Sequence, residues 1–292
     1  MFLTKRSRMQ INGQTRIVAV LGHPIGHTAS PAMHNAAFEA LGLNWRYVAF
    51  DVDPKHLATA VRGLAAAGLV GVNLTLPHKV LAMRFLDYTD STASQLGAAN
   101  TLRFSLKNGK PSIMGYNTDG NGLLQALKDE FSFSPPGKRI AIVGCGGAGR
   151  GAAIQLAMAG AKKLILINRT REKAWALARS IKRLVQKTDV VFDPEACDLV
   201  IQATSLGLHP SDPLPIPPKY LRAFRARYLF DMIYRPARTR MMKSAAKEGC
   251  QVANGLSMLL HQGAEAFEIW TGRKAPIKAM RKALMKELKT GQ

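Results

Sequence analysis

The chain is short of cysteine, of acidic residues and of unbroken apolar runs, and each shortage removes a class of protein. Three cysteines in 292 residues, Cys145, Cys197 and Cys250, are too few and too scattered for a disulfide framework or a zinc site, so free thiols are expected. The apolar run over 64–72 is broken by Gly68 and Gly71, and no stretch reaches the roughly 18 uninterrupted apolar residues of a membrane span. The basic opening Met1-Phe-Leu-Thr-Lys-Arg-Ser-Arg is followed by no apolar segment with a small-residue cleavage site, which argues against a secretory signal and for a cytoplasmic protein. Acidic residues number 19 against 41 lysines and arginines. The resulting formal charge of +22 favours anionic partners without choosing among nucleic acid, lipid headgroups and phosphorylated small molecules.

What is present is an ordinary globular composition, 47% hydrophobic and 21% charged, at a length that suits about two domains of roughly 150 residues. Runs rich in β-formers, helical stretches and Gly- or Pro-marked turns alternate from the start, which predicts an α/β architecture with mostly parallel strands. Strands are expected over 16–21, 45–50, 71–75 and 100–104, and a helix over 31–41. The sequence Phe-Ser-Phe-Ser-Pro-Pro-Gly within 129–137 breaks the chain before a second domain. From Lys138 the pattern runs strand (140–143), helix (148–159), strand (164–167), helix (172–181), then strands near Leu199 and Leu229, a doubly wound nucleotide-binding order. Over 255–271, Leu256, Leu260, Gly263, Phe267 and Trp270 fall at three- and four-residue spacings and predict an amphipathic helix returning to the first domain. The basic stretch 278–289 reads as a solvated amphipathic helix.

Gly144-Cys-Gly146-Gly147-Ala148-Gly149 fits G-x-G-x-x-G between a strand and an Ala-rich helix, the context in which glycines bring backbone N–H groups and a helix N-terminus up to a pyrophosphate. About 20 residues on, where an NAD site usually carries a carboxylate for the ribose, stands Asn168-Arg169-Thr170. Arg169, with Lys173 or Arg171 nearby and Thr170 as a donor, suits a 2'-phosphate, so NADP is the expected cofactor. In Gly22-His-Pro-Ile-Gly-His27-Thr28-Ala-Ser30-Pro-Ala-Met-His34-Asn, two hydroxyls precede a proline-started helix and can hold a carboxylate. Read alone, Ser30 is an N-cap, and His27 and His34, lacking metal-ligand company, are structural; no metal is expected. Val72-Asn73-Leu-Thr75-Leu-Pro-His-Lys79 puts polar residues at a strand end with a lysine just beyond it, where open α/β sheets place their sites. With Asn100 and Asp119 it forms a donor–acceptor set for a polyhydroxylated ring.

Together these segments, with Ala-Ala-Asn-Thr, Tyr-Asn-Thr-Asp-Gly, Ala-Thr-Ser-Leu-Gly, Asp-Met-Ile-Tyr and Gly-Leu-Ser-Met-Leu-Leu-His-Gln, resemble the shikimate dehydrogenase family over about 17–275. That family reduces 3-dehydroshikimate with NADPH on the route to chorismate and the aromatic amino acids. The resemblance implies a discontinuous α/β substrate domain, 1–119 plus 255–292, joined across a cleft to a Rossmann NADP-binding domain, 120–254. It makes Lys79 the acid/base residue and Asp119 its partner, orienting the amine and favouring its protonated form. It puts Thr28, Ser30 and Tyr234 on the substrate carboxylate, and Asn73, Thr75, Asn100, Asp119 and Gln262 on the hydroxyls. Met258 and Gln262, four apart on a helix, share a face, so one can flank the nicotinamide while the other meets the substrate. Met232, Gly255 and Asp90 are further cofactor-side candidates.

Two positions depart from the family pattern. Thr28 stands where serine is usual, which bears on selectivity between shikimate and the bulkier quinate and keeps a broader quinate/shikimate dehydrogenase as the alternative. Gln202 stands where asparagine usually opens the Asn-Ala-Thr-Ser run. Two other classes compete. A catalytically silent NADP-binding sensor is disfavoured by the presence of Lys79, Asp119 and the Gly-rich loop. Nucleic-acid binding is suggested by Arg222, Arg225, Arg227, Arg235, Arg238 and Arg240, but no RRM, KH or zinc-finger signature accompanies them. The expected partners are therefore small molecules, with no nucleic acid and no membrane, and a homodimer is left open.

Overall fold

The structure, a computed structural model, describes residues 11–26 and 28–290; the basic opening of the chain and His27 lie outside the described residues. Two compact units emerge, one built from residues up to Thr118 together with those from Gly263 onward, the other from Asp119–Gln262.

The first unit begins β1 (Arg16–Gly22), α1 (Ser30–Ala40), β2 (Trp45–Asp51), α2 (Leu57–Ala66), β3 (Gly71–Leu74) and α3 (His78–Leu81). It continues with β4 (Tyr88–Thr89), α4 (Ser91–Leu96), β5 (Thr101–Lys107) and β6 (Lys110–Tyr116). The sheet order is β2-β1-β3-β5-β6-β4. Val18 to Leu21 are all apolar because β1 is an interior strand, parallel to both β2 and β3 and buried on both faces. Most strand pairs are parallel, as expected; the exception lies on one side of this sheet, where β5 runs antiparallel to both β3 and β6. Asn108 and Gly109, with φ of 51° and 74°, close β5 and β6 into a two-residue hairpin, and a direct turn of this kind needs no crossover helix. Ala19, Leu21, Val61, Val72, Leu74 and Leu102 lie at the heart of the core.

The second unit runs α5 (Asp119–Phe131), β7 (Arg139–Val143), α6 (Gly147–Met158), β8 (Lys163–Ile167), α7 (Arg171–Leu184), β9 (Asp189–Val191) and β10 (Leu199–Gln202). Then follow α8 (Pro218–Phe224), β11 (Tyr228–Asp231), α9 (Arg240–Lys247), β12 (Gln251–Asn254) and the start of α10 (Leu256–Thr271). Helix α5 extends into the segment expected to break the chain, stopping at Phe131 before Ser132 at φ 51°. All strand pairs in the second sheet are parallel, in the order β12-β11-β10-β7-β8-β9. Counted from β7 this is the 3-2-1-4-5-6 order of dinucleotide-binding domains, with its reversal between β7 and β10. The arginines over 222–240 include several with local partners: Arg222 pairs with Glu248 at 3.6 Å, Arg240 donates to the Asp212 carbonyl at 2.7 Å, and Arg227 lies over the Tyr228 ring.

Helix α10 passes into the first unit at Gly263. There Trp270 lies against Gly71 and donates its indole N–H to the Leu102 carbonyl at 2.9 Å. The last helix, α11 (Ile277–Thr290), packs on α1 with Met280 and Leu284 fully buried, so the expected solvated helix is solvated on one face only.

Candidate active site

In the first unit the polar residues gather at the ends of β1, β3 and β5. Pairing Asn73 with Thr101 across β3 and β5 sets the asparagine beside Asn100, and the buried Asn73 amide donates to the Asn100 carbonyl at 3.1 Å and to Thr101 Oγ1 at 2.9 Å. Its Oδ1 accepts from the Tyr47 hydroxyl at 2.7 Å. Asn100 in turn accepts from the Thr118 backbone N–H at 2.8 Å and donates to the Thr118 hydroxyl at 2.9 Å. Lys79, half-exposed in the first turn of α3, is tied to the same place because its carbonyl accepts from the Ala99 N–H at 2.9 Å. Thr75 anchors the start of that segment by donating its N–H to the Leu21 carbonyl at 3.0 Å.

Thr28 and Ser30 adjoin one another, with the Ser30 N–H pointing to Thr28 Oγ1 at 3.4 Å. Ser30 does not cap α1, contrary to the reading of that residue alone. The chain turns helical one residue earlier, and Ala29 takes the cap position without a side-chain bond. His34 is fully buried against the Tyr47 ring, and burial pushes its imidazole down to about 3, so it is neutral. Asp90 sits in this unit as the N-cap of α4, accepting from the Ala93 N–H at 2.7 Å. Burial raises its carboxyl above the usual range.

In the second unit the loop after β7 is shaped by two glycines. Gly144 adopts φ 99°, open to few residues with a side chain, and a Cβ on Gly149 would lie 1.8 Å from the Gly144 carbonyl oxygen. Gly146 caps α6 without a side-chain bond, and both Gly146 and Gly147 face open space, with Ala148 in the first turn. The backbone N–H groups of that turn are therefore presented without a capping side chain, as a phosphate requires. Asn168 accepts from the Cys145 N–H at 2.9 Å and donates to the Thr170 carbonyl at 2.8 Å, strapping the Gly-rich loop to the end of β8. Beyond the strap Arg169, Thr170 and Lys173 are all exposed around the start of α7. Burial pushes the Cys145 thiol up to about 11, leaving it a neutral packing group.

Models of known families match three parts of the chain: "Shikimate dehydrogenase substrate binding domain" over 20–102, "Shikimate / quinate 5-dehydrogenase" over 126–208 and "Shikimate 5'-dehydrogenase C-terminal domain" over 255–285. The shikimate dehydrogenase (NADP(+)) of Moorella thermoacetica is 44% identical over 286 residues, covering 94% of this chain and 95% of that one. Its namesake from Methanopyrus kandleri is 41% identical over 290 residues, covering 96% and 99%. The chain belongs to the shikimate dehydrogenase family. Its fold agrees with that of the Thermus thermophilus shikimate 5-dehydrogenase crystallised with NADP(H) and shikimate, at a TM-score of 0.83 and 36% identity over 94% of this chain and all of that one.

Against the shikimate dehydrogenase pattern, Gln202 is an exception that the structure explains. The buried amide, at the end of β10, donates to the carbonyls of Thr204 and Leu206 at 3.2 and 3.0 Å and lies 3.5 Å from Asp231 Oδ1, so it moulds the loop after β10. Asp231 is itself fully buried, accepting from Thr239 Oγ1 at 2.6 Å and the Ile233 N–H at 3.0 Å, and burial pushes its carboxyl up to about 6. These bonds hold the segment bearing Met232 and Tyr234, the latter half-buried with its phenol raised by that burial. Gly255 admits no side chain, since a Cβ would lie 2.1 Å from the Met232 carbonyl oxygen. Met258 and Gln262 follow one turn apart on α10, and Gly122 of α5 lets the Gln262 backbone approach. Asp119 opens α5 directly after Thr118, a favourable place for a carboxylate at a helix N-terminus.

Each unit thus assembles its own share of the expected residues: Thr28, Ser30, Asn73, Thr75, Lys79 and Asn100 in one, the Gly-rich loop, Arg169, Met232 and Tyr234 in the other. Tyr47, Asn35, Thr101, Thr118 and Asp231 were missed. Only Tyr47 had a signal, being inward with Trp45 in a strand whose later residues face out.

Proposed function

We propose that this shikimate dehydrogenase family member is an NADP-dependent enzyme interconverting 3-dehydroshikimate and shikimate in chorismate biosynthesis. The observation that carries the reading is the 41–44% identity, over nearly the whole chain, to relatives named shikimate dehydrogenase (NADP(+)), together with the presence of Lys79, Asp119 and the Gly-rich loop in the sequence. The residues around the second sheet's reversal fit the cofactor: a close-packed, uncapped glycine turn for its pyrophosphate, and exposed Arg169, Thr170 and Lys173 for a 2'-phosphate. Asn168 holds the loop, and Met232, Gly255, Met258 and Asp90 are the further cofactor-side residues. When bound, the reduced cofactor supplies the hydride for the ring ketone.

Lys79 donates a proton to the alkoxide that develops on the ring oxygen and stabilises its charge. Asp119 orients the ammonium toward that oxygen. Thr28, Ser30 and Tyr234 hold the carboxylate, and Asn73, Thr75, Asn100, Asp119 and Gln262 the hydroxyls. In this reading residues 1–119 with 255–292 serve the substrate, 120–254 serve NADP, and the enzyme works in the cytoplasm. Thr28 supports a second reading with broader action on quinate, because a threonine keeps the hydroxyl and adds a methyl at the carboxylate end. Replacing Lys79 with Ala is expected to lower kcat by about 10²- to 10⁴-fold, the range of a lost general acid, with NADP affinity unchanged. Near-normal turnover in that variant would remove Lys79 from its role.

A further inference from the structure

Tyr47 lies on β2, 2% exposed, and two consecutive residues of α1 are devoted to it. Asn35 clamps its backbone from both sides, donating to the Tyr47 carbonyl and accepting from the Tyr47 N–H, each at 2.9 Å. His34 stacks on its ring, with centroids 4.3 Å apart and planes within 3°. Such a mounting fixes the phenol in one place and leaves only its hydroxyl hydrogen to be assigned.

That assignment follows from the neighbours. The Asn73 amide nitrogen faces the Asn100 carbonyl, which can only accept, so the atom turned to Tyr47 is the amide oxygen, and Tyr47 is the donor in their 2.7 Å bond. With its one hydrogen spent on Asn73, the phenol has none left for any other acceptor. The bonds therefore run in one direction, from Tyr47 to Asn73 and on to Asn100 and Thr101. Asn73 is left with one unused lone pair and no unused N–H, so it presents an acceptor.

We infer that Tyr47 is a positioning residue for substrate binding, fixing the orientation of Asn73 at the ring-hydroxyl end. The inference rests on the shikimate reading of that pocket. Without the phenolic hydroxyl, the Asn73 oxygen loses its buried donor and its amide is no longer held in one orientation.

The test is Tyr47→Phe, which keeps the ring, its stack on His34 and the Asn35 clamp. Trp45→Phe serves as control, a packing change two residues away in the same strand and buried at 6%. Shikimate affinity is read by titration calorimetry, KM values for shikimate and NADP by initial rates, and folding by thermal melts. Tyr47→Phe is expected to weaken shikimate binding and raise its KM by about tenfold, with the NADP KM within twofold of the parent's. Trp45→Phe should lower Tm while leaving shikimate affinity alone. Parent-like shikimate affinity in Tyr47→Phe, or equal weakening in Trp45→Phe, overturns the role of Tyr47. A parent that binds NADP but no shikimate overturns the functional reading and the inference with it, so the two failures are told apart in one series.

Discussion

At the scale of single residues, the chemistry depends on groups that sequence motifs name and on others that only packing reveals. Asp231 belongs to the second kind. Its carboxyl, pushed up to about 6 by burial, is easier to protonate folded than unfolded, where 3.8 is usual. The stability tied to its proton is fully present below about pH 4 and is lost as pH rises through about 6. Asp231→Asn, isosteric and uncharged, can keep the bond from the Ile233 N–H and reverse the one to Thr239, donating its amide N–H to the hydroxyl oxygen. Its Tm relative to the parent's is therefore expected to be higher at pH 7.5 than at pH 5. An offset independent of pH, measured by differential scanning fluorimetry at both values, would show that the ionised carboxylate is not disfavoured there. His34 works with the opposite sign. Held neutral down to about 3, it contributes stability above pH 6.5 that is lost as acid protonates the unfolded chain's imidazole.

At the scale of elements, the glycine turn before α6 makes the sharpest demand on sequence. An alanine at 149 would bring its Cβ to 1.8 Å of the Gly144 carbonyl oxygen, a backbone atom that can yield only if the loop moves. Gly149→Ala should cost about 1–3 kcal/mol of stability, as overpacking does, and weaken NADP binding at least tenfold in a fluorescence titration, leaving shikimate affinity intact. Unchanged NADP affinity would move the pyrophosphate away from this turn. This element was legible because strand, glycines and helix are contiguous in the chain. The β5–β6 hairpin was not foreseen, because Lys107, Lys110 and Pro111 around the Asn108-Gly109 turn are poor strand formers and mask its signal. The buried face of α11 was also missed, since whether a basic amphipathic helix is solvated depends on α1, more than 200 residues earlier in the sequence.

At the scale of the whole molecule, both units are built on α/β sheets whose strand ends carry polar residues, the place where motif order put the candidate site. Lys79, Asp119 and the Gly-rich loop could be read because their residue types and spacing carry the chemistry directly. Tyr47 could not, because its meaning comes from Asn73, 26 positions away, and from the pairing that joins β3 to β5. The +22 charge, spread over a chain whose proposed substrate and cofactor are both anionic, accords with electrostatic attraction of those ligands. The most direct test of the account is a four-way initial-rate assay, following nicotinamide absorbance with shikimate or quinate, each paired with NADP or NAD. The account predicts the highest kcat/KM for shikimate with NADP, and quinate turnover comparable to it would shift the assignment to the broader enzyme. No turnover in any pairing, by a protein that still binds NADP, would contradict the proposed function.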